Sequence, residues 1–214
     1  MNEAFLAAAK LRWVSSPAAM FALFGEAGGF VSPSGTYSFS RTYANGAGTA
    51  TRVGTTSGSQ YYGFGRLGAV AAIGAADEFA PSLELGRQAL QLGGYSETVS
   101  LTDPFEAEVA ASTTAMDVFK ARAQWTHRFD ARFDATVWGA YAHGFAISDS
   151  SIAAVSGFGA LTSSTPSALN WGEYGARVGY KLNDKIALAA FVDGVAWAGR
   201  GSKMHVGGVL EVKF

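Results

Sequence analysis

The run Lys203-Met204-His205-Val206-Gly207-Gly208-Val209-Leu210-Glu211-Val212-Lys213-Phe214 reads in steps of two. Met204, Val206, Gly208, Leu210, Val212 and Phe214 share one face; Lys203, His205, Gly207, Glu211 and Lys213 share the other, with Val209 the exception. Successive side chains of an extended backbone point to opposite sides, so the run predicts a strand with one apolar and one charged face.

Working outward from it, the same rule recurs. Tyr174, Ala176, Val178, Tyr180 and Leu182 alternate with Glu173, Arg177 and Lys181. Ile186, Leu188, Ala190, Val192 and Ala196 share a face in weaker contrast, because Phe191 and Trp197 join Lys185 and Asp193 opposite them. Phe133, Ala135, Val137, Gly139, Tyr141 and Phe145 oppose Arg132, Asp134 and Thr136, and Phe119, Ala121, Ala123, Trp125 and Phe129 oppose Lys120, Arg122, Gln124, Thr126 and Arg128. Toward the N-terminus, Tyr61, Leu67, Ala69, Ala71 and Ile73 oppose Gln60 and Arg66, Phe21, Leu23, Ala27 and Val31 oppose Glu26, and Tyr37, Phe39 and Tyr43 form a row that Arg41 interrupts. Phe79 to Leu92 sets Leu83, Leu85 and Ala89 against Ser82, Glu84 and Gln88, but puts Arg87 in the apolar row, which calls for a bulge or a near-interface position. These are nine strands, with a tenth candidate at Ile152 to Leu161 and an eleventh at Leu6 to Val14. Residues 1–16 are expected to be a linker or a partial strand or helix, and residues 17–214 one domain.

Connections alternate in character. Tight turns are expected at Asn183-Asp184, Gly201-Ser202 and Asp130-Ala131, and long Gly/Ser/Thr-rich loops at Asn45 to Ser59, Gly94 to Thr114 and Ile147 to Leu169. Of the 214 residues, 49% are hydrophobic and only 15% charged, with 27 glycines, so the surface suits something other than bulk water. A net charge of −1 argues against a polyanion partner, and nucleic acid is not expected. With no cysteine, disulfides, thiolate metal sites and thiol nucleophiles are excluded. No apolar run is long enough for a transmembrane helix. Glu3 ahead of Ala4 to Ala9, and Lys10 and Arg12 behind, is the reverse of a secretory signal, so either the signal lies outside the numbered chain or the chain is the C-terminal part of a longer one.

Soluble sandwiches also alternate, so charge placement decides between the two classes. The long loops hold no Lys and only Arg52, whereas most charges sit inside strands opposite the apolar rows. A sandwich needs its charges on outer faces and loops; a transmembrane β-barrel puts them in its lumen and closes to leave no open edge in hydrocarbon. The expected fold is therefore all-β, an antiparallel up-and-down transmembrane barrel, with a soluble β-sandwich or ligand-binding β-barrel as the alternative.

The run from Trp171 through Tyr174-Gly175-Ala176-Arg177-Val178-Gly179-Tyr180, Ala187 to Gly194 and Gly208 to Phe214 resembles the closing strands of autotransporter β-domains, the translocators of type V secretion. Ala121 to Phe129 and Val137 to Phe145 are similar to the preceding pair, so the likeness rests mainly on residues 119–214. It implies a twelve-stranded barrel in the outer membrane of a Gram-negative bacterium, with an upstream passenger polypeptide as cargo. The nine to eleven strands read here fall short of that number, which leaves a fragment, a truncated copy or a smaller barrel of eight or ten strands. The terminal aromatic pattern resembles the signal read by the barrel-assembly machinery, which implies assembly roles for Phe214, Val212, Leu210 and Tyr180. A small structural or adhesive outer-membrane barrel with no secretion role is the second functional expectation.

The polar groups expected to line the lumen are Arg66, Glu84, Arg122, Glu173, Arg177 and Glu211. No catalytic, cofactor or metal site is nominated, and the chain is not expected to be an enzyme. Gly63-Phe64-Gly65-Arg66-Leu67-Gly68 matches a dinucleotide fingerprint, but that chemistry needs a strand-to-helix turn, and the alternation from Tyr61 to Ile73 runs straight through it. His127, His143 and His205 lie in separate strands without ligand spacing. For the acids Asp77, Glu78, Asp103, Glu106, Glu108 and Asp149 the sequence spacing nominates no cationic or histidine partner.

Overall fold

The computed structural model describes residues 7–15, 21–45, 48–98, 105–149, 152–155, 159–162, 168–196 and 203–212. Nine strands form one antiparallel meander: β1 (Ala7–Val14), β2 (Phe21–Asn45), β3 (Gly48–Ile73), β4 (Asp77–Leu92), β7 (Ser112–Arg128), β8 (Phe133–Asp149), β11 (Leu169–Lys181), β12 (Ile186–Ala196) and β13 (Lys203–Val212). Each pairs with the next in that order, and the sheet curls into a half-barrel. Four short strands, β5 (Tyr95–Ser96), β6 (Ala107–Val109), β9 (Ile152–Val155) and β10 (Gly159–Thr162), build a second sheet from the β4–β7 and β8–β11 connections. The described residues contain no helix.

Strand pairing at one end is closed by turns whose chemistry is local. Asn183 Oδ1 accepts the backbone N–H groups of Lys185 and Ile186 at 2.9 Å each, and Asp130 Oδ1 those of Arg132 and Phe133 at 2.6 and 2.8 Å. These Asx turns satisfy backbone donors that no ladder reaches. The β3–β4 turn relies on Gly74, whose φ of +76° is a conformation a side chain resists. Gly201-Ser202 lies outside the described residues.

Three expectations need correction. Tyr37 to Tyr43 is the far half of β2, not a strand of its own; a bulge between Ser32 and Gly35, around Pro33, shifts the register without ending the strand. Most of Asn45 to Ser59 is strand rather than loop, with Asn45 opposite Gly48, because its Thr and Val residues suit an extended backbone. Ile152 to Leu161 gives the β9–β10 hairpin of the second sheet instead of a tenth strand of the large one. Ala7–Val14, by contrast, pairs along its whole length with Phe24–Val31 and is the first strand of the large sheet. That sheet has nine strands, the number expected, with Ala7–Val14 in the place of Tyr37 to Tyr43.

Arg87 occupies the apolar row of a regular β4 and is paired with Asp117 at 2.9 Å, where β7 meets a bulge of β8 that sets Ala146 and Ile147 against Met116 alone. Glycines serve mainly as space. Gly68 lies opposite Phe24, Gly175 opposite Trp138 and Gly207 opposite Phe191, and in each pair the ring fills the volume that a Cβ would occupy.

Candidate functional site

Alternation sorts side chains onto two faces, and register then decides which of them meet. On the concave face, Arg12 lies opposite Glu26, Glu26 opposite Arg66, Arg66 opposite Glu84, and Glu84 opposite Lys120. Five adjacent strands thus carry one lateral row of alternating charge. Lys120 continues it diagonally to Glu173 of β11, at 2.9 Å.

The contacts are those of an interlocked network. Arg66 donates from Nη1 to Glu26 Oε2 at 3.0 Å and from Nε to Glu84 Oε2 at 2.8 Å, with Nη2 on the same oxygen. Lys10 Nζ and Arg12 Nε share Glu26 Oε1 at 3.7 and 3.6 Å. Tyr62 Oη donates to Glu84 Oε1 at 2.5 Å, and Lys120 Nζ stands 3.7 Å from the same oxygen. Trp171 Nε1 donates to Glu173 Oε1 at 2.9 Å. The Glu26 and Glu84 side chains are each only 4% exposed. A carboxylate removed from water costs several kcal/mol unless its charge and lone pairs are met, and here each has at least two cations beside it.

Of the six residues expected in the lumen, Arg66, Glu84 and Glu173 belong to this network, and Arg122 lies beside it. Arg122 donates to Gln124 Oε1 at 3.0 Å and stacks 4.1 Å above the Trp138 ring. Arg177 stands apart, paired with Asp134 at 3.0 Å, and Glu211 sits on the same face of β13, opposite Ala187. Arg12, Glu26, Tyr62 and Lys120 were not among the six named for the lumen. Their faces could be read from alternation, but nothing within one strand reports what lies across from it on the next.

The convex face carries the apolar rows. Tyr180 lies opposite Leu188, and Leu188 opposite Leu210, so two of the residues assigned to assembly share one lateral row; Val212 faces Ile186. Phe214 lies outside the described residues. Leu11, Leu67 and Val206 are 79, 73 and 75% exposed. Among the described residues no layer packs over these side chains: the second sheet meets the large one at the projecting ends of β2 and β3.

Beyond the end with long connections, β2 and β3 project as a hairpin braced by the second sheet. Arg41 Nε donates to Glu97 Oε1 at 3.0 Å and Arg41 Nη2 to the Phe105 carbonyl at 2.8 Å, while the Ala107 N–H donates to Glu97 Oε2 at 3.0 Å. Arg52 Nη1 donates to the Thr98 carbonyl at 2.8 Å, and Phe39 stacks on Tyr95. The Arg41 hydrogen bonds hold the Glu97 carboxyl below the ordinary glutamate range, against the opposing effect of burial and with help from the Ala107 amide.

The rival motifs find other roles. Gly63, Gly65 and Gly68 all lie within β3, with no helix after them. His127 pairs with Asp77 at 2.8 Å, His143 with Asn170 at 2.7 Å and His205 with Asp193 at 3.3 Å, each at a separate place. No cluster among the described residues has three His, Cys, Asp or Glu placed to hold a metal. No protein-family model matches the chain, and no curated protein matches it at a significant level.

Proposed function

We propose that the chain forms the wall of an outer-membrane β-barrel of Gram-negative type, with acyl chains against its convex face and a wet lumen along its concave one. One observation carries this reading: burial is inverted. Leu11, Leu67 and Val206 are more than two-thirds exposed while Glu26 and Glu84 are buried, the reverse of what a chain folded for water does. Exposed apolar rows running across a whole sheet need an apolar solvent, and about ten residues of tilted strand span one.

Closure follows from the same physics, because sheet edges in hydrocarbon strand backbone groups. β1 and β13 are the first and last of nine alternating strands, so they run in the same direction. An antiparallel wall between them takes an odd number of further strands; three would complete the twelve-stranded type that the C-terminal resemblance implies.

Within that fold we assign the role of translocator: a β-domain that inserts through the barrel-assembly machinery and lets an upstream passenger reach the surface. The support is the closing-strand pattern from Trp171 onward together with the polar concave face. A second reading, a structural or adhesive outer-membrane barrel, draws on the ordered hairpin and second sheet at the long-connection end. The test fuses a signal peptide and an epitope-tagged passenger ahead of Met1 and adds protease to whole cells. Loss of the tag from intact cells supports export. A tag that stays protected while the barrel reaches the outer membrane, seen as heat-modifiable migration on gels, contradicts export and leaves the structural reading.

A further inference from the structure

We infer that a recess on the concave face beside Arg122 binds one carboxylate group. The recess holds about 180 Å³ and is lined by Arg12, Glu26, Arg66, Glu78, Arg122 and Gln124, among others. Three guanidiniums against two carboxylates leave one positive charge, and the pairing shows where it resides. Glu26 is taken by Arg12 and Arg66, and Glu78 by Arg128 at 2.5 Å. Every cation of the lateral row has an acid directly opposite it. Arg122 instead lies opposite Ser82 on β4 and Ala140 on β8.

Arg122 is thus in no ion pair with a carboxylate among the described residues: the acids whose charge reaches it, Glu84, Glu173 and Glu26, are each held by other cations, and Arg66 beside it is of like sign. It is also preorganised. The Trp138 ring under the guanidinium fixes its plane, and Trp138 is itself seated over Gly175. One of five N–H donors goes to Gln124 Oε1. The remaining donors of a planar, oriented guanidinium suit a carboxylate, which can accept two of them at once. A surplus of one charge beside Glu26 and Glu78 favours a monoanion over a phosphate dianion, and disfavours any cation.

This inference uses the wet lumen proposed above but not the export role. The carboxylate could belong to a small organic acid or to an acidic side chain of a polypeptide within the lumen; the two arms of the experiment separate these sources. Folded protein in detergent micelles is titrated with sodium acetate and, separately, with acetyl-Gly-Glu-Gly-amide, each against sodium chloride and sodium phosphate at matched ionic strength. Tryptophan emission and the ¹³C line width of labelled acetate are read.

A saturable response to acetate or to the peptide, stronger than to phosphate, is expected in the wild type. Acetate alone points to a small acid, the peptide alone to a polypeptide. Arg122→Gln is expected to weaken binding at least about tenfold, the loss of a charge-assisted contact. Arg122→Lys should not restore it, and Arg177→Gln should leave it unchanged. Gln124→Glu supplies an internal carboxylate and is expected to block the site in a protein that keeps its guanidinium, which covers the case in which Arg122→Gln does not fold. No saturable response in either probe, or equal binding by Arg122→Gln or Gln124→Glu, overturns the inference. If nickel-chelate access to labels on the concave face shows it to be dry, the wet lumen and this site fall together; if it is wet and the titrations stay flat, the site alone falls.

Discussion

Across β1, β2, β3, β4 and β7, each charge in the lateral row faces its opposite on the next strand, whereas the concave faces of β12 and β13 carry Ala187, Ala189, Phe191, Val195 and Val209 around the separate pair Asp193–His205, with Lys203 and Glu211 opposite Val195 and Ala187 at the two ends. Arg177 of β11 likewise pairs, among the described residues, with Asp134 alone. The two regions share one alternation rule but differ in how far a lost charge is felt. In the first region every carboxylate bridges cations on neighbouring strands, so one deletion disturbs three strands. In the second it disturbs a single pair.

The largest effect that would break this contrast is at Glu84. Glu84→Gln leaves Arg66 and Lys120 short of a partner in a buried setting, and we expect a loss on the order of 3 kcal/mol in urea unfolding from detergent micelles. A loss no greater than that of Arg177→Gln would show that the row is not interlocked. Next comes packing: Gly175→Val on β11 forces Trp138 from its seat on the neighbouring strand β8, at about 1–3 kcal/mol in the same assay.

The projecting hairpin offers a third test, read by pH. The folded-state carboxyl of Glu97 lies below its unfolded value, so its contribution is complete above the ordinary glutamate range near ~4.3 and is lost as pH falls through the lower, folded value. Limited proteolysis in residues 93–111 should accelerate under acid while heat-modifiable migration of the wall persists. Glu97→Gln should make that cleavage rapid at neutral pH as well. The smallest effect is at Arg177→Gln, whose pair is half-exposed and is expected to contribute about 0–1 kcal/mol.

These differences explain what could be read from residues alone. Period two placed nearly every wall residue on its face, because that assignment depends only on neighbours in the chain. The long hairpin was cut short: Thr49, Thr51, Val53 and Thr55 sit among glycines and serines that also suit loops, and its bracing comes from Glu97 and Phe105, dozens of residues away. Within the site, Arg66, Glu84 and Glu173 were legible as inward polar groups. Glu26 and Lys120 joined them only through register, and register is set by turns and bulges that leave no mark inside the strands they align. The C-terminal strands, on which the expected resemblance rested, have the plainest concave face; the site lies mostly in the other half.

The solvent of the convex face can be measured directly, because the chain has no cysteine to compete with an introduced one. A nitroxide at Leu67→Cys, in protein refolded into lipid vesicles, should be relaxed strongly by oxygen and weakly by a water-soluble nickel chelate, and a nitroxide at Ser82→Cys on the concave face should show the opposite preference. Nickel relaxation at Leu67→Cys equal to or above that at Ser82→Cys would contradict a lipid-facing wall.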